Sequence, residues 1–554
     1  MLNIRIAKEE DIPKIRDIFI AVYGKGYPYQ QFYDEQWLRR SVFSDDILML
    51  VAEETETGGI LGTASVVFDI GAYSDLIGEF GRLAVLPDAR GMGTGKLLMQ
   101  KRIELIQDRL HLGLIGGRVV HPYAQKIALA HQFVPVGFLP LKHYFSGKRE
   151  CLTLLVRYFG DALSLRKNNP RIISEAYPLA NLAMQFLSLP CDVIVDESSL
   201  PYPHDNDYQI EELSVEGLPS LLRIERGRVR NREIFGHIRI EYGFFKLRIG
   251  QASYLVARDK GHIAGAIGFI LDRVEKIVRV FEMIPSTDLV IRFLLSELER
   301  KCREEWDVEY IEIDVSAHAT RMQRTLLELF FLPAAYIPAM VFHDVERLDI
   351  IRMVRLLNPQ ELGHLELVPT AKSVADLVMR GFKSRTIMPR VAQAVSKISL
   401  FDGLGEEQLL RFASVCTVKD YNPGEQIFSE GDPGDSIRIV LEGRVGIYLG
   451  TPPVRIGAVG KGEALGELSL LSSGQHSATA TADTPVEAVV LSHRDLSDLI
   501  RLRPDIGLYI YKNLADGLGK KLFRSDLSLR YFLFGEQELP RKETPSDPSR
   551  STED

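Results

Sequence analysis

The sequence predicts an α/β multidomain protein in which two mixed α/β domains are followed by a β-roll with flanking helices. Three observations predict this fold class. Helix-like and strand-like segments alternate through residues 1–158, similar segments return after residue 205, and short β-branched runs punctuated by glycine fill residues 401–491. The length of 554 residues also requires several domains, because single cores stop growing near about 250 residues.

The composition is that of a globular protein, and it argues against several classes of function. Apolar residues make up 45% and charged residues 26%, and the net charge of −8 provides no broad basic surface for nucleic acid. No apolar run approaches the ~20 residues that a membrane span requires, and acids near the N-terminus argue against a secretory signal. The four cysteines lack zinc-site or disulfide spacing. We expect a cytoplasmic protein without metal, nucleic-acid partner or membrane span, and its oligomeric state stays open.

The first domain, residues 1–158, begins with an amphipathic helix and continues with strands. Apolar residues recur at helical spacing near its start, at Ile12, Ile15, Phe19 and Val22. The segments ILMLVAEE and ILGTASVVFD are typical of strands. A helical connector is predicted over residues 159–204, where a helix-like stretch leads into the proline-containing boundary ESSLPYPHDNDY.

Residues 205–348 repeat the pattern of the first domain. YLVARDKGHIAGAIGFILD (residues 254–272) parallels MLVAEETETGGILGTASVVFD (residues 49–69), and FLPAAYIP parallels FVPVGFLP. The second copy has no glycine in FEMIPSTDLVIRFL (residues 281–294), where the first copy has a glycine-rich turn. We therefore predict two copies of one fold, of which the second is a catalytically silent partner.

The rest of the chain divides into a linker, the β-roll and a tail. A helical linker broken by two prolines is predicted over residues 349–397. The β-roll follows over residues 398–522, and its last helix, residues 506–522, is expected to act as a lid or packing helix. The polar tail, residues 523–554, contains KETPSDPSRSTED, a composition that predicts disorder at its end.

A glycine-rich turn between a strand and a helix provides the first candidate site. In GEFGRLAVLPDARGMGTGKLL, the strand GEFGRLAV leads to the turn RGMGTG, and a helix follows with an apolar face at Leu98, Leu105 and Ile106. The start of a helix offers unpaired amides and a partial positive charge to an anion. Glycines let the backbone approach closely, and Arg90 adds a full charge. The pattern is suited to a pyrophosphate.

At these residues the chain resembles the GCN5-related N-acetyltransferase (GNAT) superfamily, whose acyl-CoA loop reads Arg/Gln-x-x-Gly-x-Gly/Ala. The match RGMGTG is complete, and its setting RLAVLPDARGMGTG is also typical. A dinucleotide-binding fingerprint would open the first βα unit and would lack the arginine. A turn with a packing role alone is the other alternative. The resemblance implies an acyl-CoA site at Leu83, Ala84, Val85, Arg90, Gly91, Met92, Gly93, Thr94 and Gly95.

Acyl transfer to an amine needs a base, because an amine with a pKa of about 10.4 is protonated and inert at neutral pH. Glu79 lies where the histone-acetyltransferase branch carries its catalytic glutamate, so the resemblance implies a base; a structural carboxylate at a strand edge is the alternative. The superfamily often supplies a tyrosine as general acid, and this chain has Phe133 there. Tyr123, His121 and His131 are nearby substitutes. A thiolate, with a pKa near ~8.5, can also leave without an acid.

The glycine-punctuated segment from YNPGEQIF to HSATATA resembles the cyclic nucleotide-binding domain of bacterial catabolite activators and cyclic-nucleotide kinases. In that family a Gly-Glu pair before a short helix binds the cyclic phosphate and ribose, which implies a site at Gly466, Glu467 and Leu468. The family's phosphate-binding arginine is missing, because Gln-His-Ser-Ala replaces Pro-Arg-Ala/Ser-Ala and places His476 and Ser477 there. A docking or dimerising module, or another ligand, is the alternative.

Together these features predict an N-acyltransferase with a regulatory domain. The expected donor is acetyl-CoA or another acyl-CoA, the acceptor is a protein lysine or a small amine, and cAMP or cGMP is the expected regulator. Two alternatives stay open. One is a non-catalytic sensor or scaffold for acyl-CoA and cyclic nucleotide, and the other is an enzyme similar to long-chain N-acyl amino acid synthases.

Overall fold

The computed structural model describes residues 2–25, 27, 29–70, 73–145, 147–203, 207–213, 221, 232–236, 252–358, 362–466 and 474–534. The chain divides into two compact units, residues 1–382 and 383–554. Mixed α/β structure fills the first unit, and a β-roll with flanking helices fills the second. The predicted fold class is confirmed.

The first half of the N-terminal unit contains the alternating helices and strands that the sequence predicts. Its elements are β1 (Leu2–Ile6), α1 (Ile12–Tyr23), α2 (Glu35–Phe43), β2 (Ile47–Glu54), β3 (Ile60–Ile70), β4 (Ile77–Val85), α3 (Thr94–Ile106), β5 (Leu112–Arg118), α4 (Tyr123–Ala130), β6 (Val134–Phe145) and β7 (Lys148–Tyr158). The apolar stripe of α1 buries Ile12, Ile15 and Phe19 against the sheet. The helix ends at Gly24, whose φ of 73° suits glycine.

A short connecting stretch follows. It contains β8 (Arg171–Ile172), α5 (Tyr177–Phe186), β9 (Ile194–Val195), β10 (Gln209–Glu212) and β11 (Ile234–Phe235). Helix α5 buries Leu179, Ala180 and Met184 in the main core, as its apolar spacing predicts. The connector is therefore partly helical, and β8 pairs in parallel with β9.

The second half runs through the same order of elements as β2–β7. It contains β12 (Ala252–Asp259), β13 (His262–Asp272), β14 (Ile277–Pro285), α6 (Leu289–Glu304), β15 (Tyr310–Ser316), α7 (Thr320–Glu328), β16 (Leu332–His343) and β17 (Glu346–Leu356), followed by α8 (Pro369–Val395). The predicted helical linker over residues 349–397 is wrong at its start, because β17 continues to Leu356. Successive residues of β17 point to opposite faces of the sheet, and the residues on both faces are buried. A continuous buried run of this kind favours a strand over a helix.

Both halves share one 15-stranded sheet with the order β1-β2-β3-β4-β5-β7-β6-β16-β17-β15-β14-β13-β12-β10, and β11 pairs beside β15. The order of the second half is the mirror image of the first, and β6 meets β16 at Gly137 and Ala335. A Cβ on Gly137 would lie 2.3 Å from the Ala335 Cβ, so this contact requires glycine. The largest hydrophobic cluster therefore continues across both halves, and smaller separate clusters lie within each half.

The C-terminal unit is built from two four-stranded sheets with helices at either end. Its elements are α9 (Glu406–Ser414), β18 (Thr417–Tyr421), β19 (Gln426–Phe428), β20 (Ser436–Glu442), β21 (Val445–Leu449), β22 (Val454–Val459), β23 (Ala464–Leu465), β24 (Thr479–Ala482), β25 (Val486–Ser492), α10 (His493–Leu502) and α11 (Pro504–Phe534). The sheets have the orders β18-β25-β20-β23 and β19-β24-β21-β22. The predicted helix over residues 506–522 is present within α11 and continues into the predicted tail.

Candidate functional site

Strands β4 and β5 run together for only three residues and then separate. Residues 77–79 pair in parallel with residues 112–114, after which β4 follows β3 and β5 follows β7. The cause is a bulge in β4 at Arg82, which has a φ of 52° and shifts the register against β3. The facing edges of β4 and β5 form a cleft that is open beyond Glu79.

The bulge is held by a buried arginine that the sequence analysis missed. Arg102 on α3 is 1% exposed, and its Nη1 donates to the carbonyl oxygens of Ser65 (3.1 Å) and Gly81 (3.2 Å). Its guanidinium carbon lies 5.3 Å from the centre of the Phe80 ring. Burial lowers the pKa of Arg102 to about 9, which leaves it charged at neutral pH. Arg102 thus links β3 and β4 next to the bulge through two carbonyl acceptors.

The glycine-rich turn lies at the end of β4 and begins α3. Gly91 and Gly93 have φ values of 84° and 82°, and Gly93 is the residue before the first turn of α3. A Cβ on either would meet no other atom within 4 Å, whereas one on Gly95 would lie 2.9 Å from Ile127 Cδ1. The first two glycines thus serve backbone conformation, and the third permits α3 to pack against α4.

The turn presents a row of backbone donors. The amides of residues 91–95 have no acceptor within the part of the chain that the structure describes. Arg90, Met92 and Gly93 are exposed, and Thr94 is buried with its hydroxyl 3.4 Å from the Ala89 carbonyl oxygen. Free amides at the start of a helix are the kind of donor that a phosphate group accepts, so a phosphate site here stays a prediction.

The remaining predicted residues of this site lie on β4 beside the turn. Ala84 is buried, Leu83 and Val85 are half-buried, and their strand pairs with β3 on the side away from the cleft. In α3, Leu98 and Ile106 are buried as predicted, but Leu105 is 37% exposed, so its place in the apolar face was wrong. Arg102 and Ile103 lie on the buried face instead, because the helix packs against the bulge.

Glu79 is the last residue of β4 that pairs with β5, and the cleft begins directly after it. Its side chain is exposed, and the next residue, Phe80, lies on the opposite face with its ring edge-on to Phe133 at 5.2 Å between centroids. The Arg82 guanidinium stacks over Phe32 at 5.5 Å. Burial lowers the pKa of Arg82, and the nearby Glu79 carboxylate opposes that shift. A carboxylate and a cation therefore lie together at the mouth of the cleft.

The residues considered as general acids separate into core and cleft positions. Phe133 is fully buried, and the Nδ1 of His131 lies 2.8 Å from the Ile127 carbonyl oxygen, so both have structural roles. Tyr123 is 68% exposed, and its ring lies 5.3 Å from that of His121, which follows β5. The Nδ1 of His121 is buried without a hydrogen-bond partner in the described chain. Burial is the main cause that lowers the pKa of His121, and the positive charges of Arg118 and Arg90 lower it further.

In the second half, Phe235 and Gly236 lie in the corresponding cleft and line a small cavity there beside Arg279. Strands β14 and β15 pair at residues 277–280 and 310–313, and β11 then pairs with β15 at residues 314 and 315. A Cβ on Gly236 would lie 2.6 Å from Phe281 Cα, and Arg232 Nη2 donates to the Phe281 carbonyl oxygen at 3.2 Å. Residues 232–236 therefore contact both strands at the point where they separate.

The counterpart of Glu79 in the second half is a cation. Register places Arg279 opposite Glu312, as Glu79 lies opposite Leu114. Arg279 Nε is 3.8 Å from the Glu312 carboxylate, and Lys142 Nζ from the first half lies 2.5 Å from the same group. Burial opposes ionisation of Glu312, but these cations and Arg352 lower its pKa. This position cannot supply a carboxylate base.

The C-terminal pocket contains part of its predicted residue set. Gly466 has a φ of 78°, and a Cβ there would lie 3.4 Å from the His476 ring. His476 is 7% exposed and stacks on Phe428 with ring centroids 3.7 Å apart, whereas Ser477 is exposed. Burial and then Arg438 lower the pKa of His476, so the ring is neutral at pH 7. Glu467 and Leu468 lie outside the described residues.

Within the described part of the chain, no helix has the length and apolar character of a membrane span, and no group of three or more His, Cys, Asp or Glu side chains could hold a metal ion. Of the four free cysteines, Cys151 and Cys302 are buried, Cys416 is half-buried and Cys191 is exposed.

Comparisons with known proteins match these two sites. A family model for the acetyltransferase (GNAT) domain matches residues 45–129, and one for the cyclic nucleotide-binding domain matches residues 418–503. The first range contains β4, the turn and α3. The second contains most of the β-roll.

This chain matches only part of each of its listed relatives. The cyclic AMP receptor protein of Thermus thermophilus is 34% identical over 25% of this chain and 63% of its own. The CRP-like cAMP-activated global transcriptional regulator of Mycobacterium tuberculosis is 27% identical over 26% and 63%, and glutaminase 2 of Bradyrhizobium diazoefficiens is 30% identical over 22% and 20%. The chain thus spans less than two thirds of each relative. It contains a GNAT acetyltransferase domain and, C-terminal to it, a cyclic nucleotide-binding domain.

Proposed function

We propose that the GNAT domain transfers an acyl group from acyl-CoA to an amine, and that the C-terminal domain regulates this reaction on binding a cyclic nucleotide. One observation carries the proposal: two features of the first half lie next to each other. The row of free amides at residues 91–95 lies at the end of the same strand whose bulge opens the cleft. A pyrophosphate and an extended acyl-bearing arm need these two features side by side.

The residues fit the donor in charge and in hydrogen-bonding capacity. Arg90 and the start of α3 supply positive charge for a pyrophosphate, and Gly91 and Gly93 leave the turn free of side chains. The unpaired edges of β4 and β5 offer donors and acceptors to the amides of an extended arm. Acetyl-CoA is the expected donor, and longer acyl groups are alternatives.

Glu79 is the proposed base. Its carboxylate accepts a proton from the ammonium of the acceptor, and the freed amine nitrogen bonds to the carbonyl carbon of the thioester. The carbon–sulfur bond then breaks, and the thiolate takes up the second proton that the nitrogen loses on becoming an amide. No buried acid is required for this step, because a thiolate is a tolerable leaving group. Tyr123 and His121 lie at the end of β5 as candidate donors of that proton.

The second half is proposed to be non-catalytic. Three features support this role: the missing glycine turn, Arg279 at the position of Glu79, and residues 232–236 within the cleft. Its contribution is then structural, since it completes the sheet and supplies Glu312 and Glu309 as partners for Lys142 and Arg149 of the first half.

The test uses the full chain with acetyl-CoA and a panel of amines, including lysine peptides and free amino acids. Calorimetry measures binding, and release of free thiol measures transfer. Binding together with amine-dependent thiol release supports the enzyme, with Glu79→Gln as the variant that keeps binding and loses transfer. Binding without transfer to any amine would support the sensor instead. Absence of binding at millimolar acyl-CoA would contradict both.

A further inference from the structure

Arg438 lies inside the β-roll, on the face of β20 that meets the predicted nucleotide pocket. Neighbouring Ile437 and Ile439 belong to the core that contacts the flanking helices, whereas Val440 belongs to the interior core of the roll. Side chains alternate along a strand, so Arg438 shares the face of Val440. Its guanidinium carbon lies 5.3 Å from the centre of the Phe428 ring, which confirms this placement.

Arg438 belongs to one cluster with His476. Phe428 stacks on the His476 ring at 3.7 Å and also carries the Arg438 guanidinium, so one aromatic ring joins both side chains. The positive charge of Arg438 is one of the causes that lower the pKa of His476, after burial. Gly466, the described end of the predicted phosphate-binding segment, lies against the same imidazole.

The guanidinium is short of partners. Arg438 Nε and Nη1 are buried without a hydrogen-bond partner, and no carboxylate within the described ranges lies within ion-pair distance of it. Asp432 and Asp435 are the acidic side chains that face this cluster, and His493 lies beside them. Asp435 is already hydrogen-bonded by the Ser436 hydroxyl at 2.7 Å. Arg438 as a whole is half-buried, but leaving these two buried nitrogens without acceptors is unfavourable, and an anion bound there would supply the acceptors.

We propose that Arg438 is the cation that binds the phosphate of a cyclic nucleotide in this pocket, in place of the arginine that is missing at His476. The proposal rests on the proposed function, in which the C-terminal domain binds such a ligand. It moves the charge from the loop before β24 to strand β20 and keeps it on the inner face of the roll. His476 then serves as a neutral ring that stacks with Phe428 and positions Arg438.

Two consequences separate this arrangement from recognition by His476. A guanidinium stays charged at all physiological pH values, so affinity should change little between pH 6.5 and 8. The lowered pKa of His476 moves its protonation below about 6.5, its ordinary value, and any extra affinity would appear only there. Adding a cation by His476→Arg places two like charges beside Phe428, and the gain should be smaller than for an empty pocket.

The experiment measures binding of cAMP and cGMP to the full chain by calorimetry, in wild type, Arg438→Gln, Arg438→Lys and Arg455→Gln. Arg455 is the matched control, because it lies in the same domain with its guanidinium already 2.5 Å from Asp483. We expect Arg438→Gln to weaken binding by about ten- to hundredfold, Arg438→Lys to weaken it less, and Arg455→Gln to change nothing.

Stability of the ligand-free protein gives a second readout with the opposite sign. Removing a half-buried charge whose Nε and Nη1 have no acceptor should leave the melting temperature of Arg438→Gln equal to or above that of wild type, while the nucleotide-induced increase is lost. Wild-type binding that Arg438→Gln leaves unchanged would overturn the assignment of Arg438 and leave the proposed function intact. Wild type that binds neither nucleotide would overturn the regulatory part of the proposed function and this inference with it.

Discussion

Gly93 allows charge and bulk at the anion site to be tested separately. It has a φ of 82° and a ψ of 1°, and a Cβ there would meet no atom within 4 Å. Asparagine and aspartate are nearly equal in size, and both tolerate this left-handed conformation better than other residues. We therefore compare Gly93→Asp with Gly93→Asn, which differ mainly in one negative charge.

The size of the effect follows from Coulomb's law. A carboxylate about 5 Å from a pyrophosphate of charge about −2 is repelled by about 3 kcal/mol at an effective dielectric constant of about 40. That energy corresponds to about a hundredfold loss of affinity. The asparagine variant lacks the repulsion, and its backbone cost should stay below about 1 kcal/mol.

Calorimetric titration with acetyl-CoA, at low and at moderate salt, measures both variants. We expect Gly93→Asp to lose about hundredfold in affinity, less at higher ionic strength, and Gly93→Asn to lose no more than about fivefold. Equal losses in the two variants would show that bulk rather than charge matters. Wild-type affinity in Gly93→Asp would place the pyrophosphate elsewhere.

Three further predictions follow from the cleft and its counterpart. Glu79→Gln should lower kcat by about a hundredfold or more and remove the acidic limb of the pH profile, while the affinity for acetyl-CoA stays nearly unchanged. If the Glu79→Gln variant instead keeps the wild-type kcat across pH 6 to 9, Glu79 has a structural role. Arg102→Met removes the hydrogen bonds to the Ser65 and Gly81 carbonyl oxygens, so the free energy of unfolding should fall by about 2 kcal/mol and acetyl-CoA should bind more weakly. Unchanged stability together with unchanged affinity would argue against a role of Arg102 in the bulge. Gly236→Val forces a side chain against Phe281, so the free energy of unfolding should fall by about 1–3 kcal/mol while the activity per folded molecule stays the same. A gain or loss of specific activity in this variant would contradict a purely structural role of the second half.

The parts of the site that depend on local sequence could be predicted, and those that depend on distant strands could not. The turn RGMGTG is readable because glycine, arginine and a helix start follow one another along the chain. Arg102 could not be recognised, because its two acceptors lie on β3 and β4 and approach it only in the folded sheet. Residues 234 and 235 make a strand too short for any periodicity, so the sequence gives no signal that this segment enters the second cleft. Arg438 was overlooked because the family motif directs attention to residue 476.

The shared sheet makes β6 an interior strand in this molecule, although it would be an edge strand in a single domain. One strand pairing at Gly137 and Ala335, together with buried arginines such as Arg149, ties the two halves into a single folding unit. Separating them would expose an unpaired apolar strand, a recognised template for aggregation. We therefore expect either half, produced alone, to aggregate more readily than the two halves together.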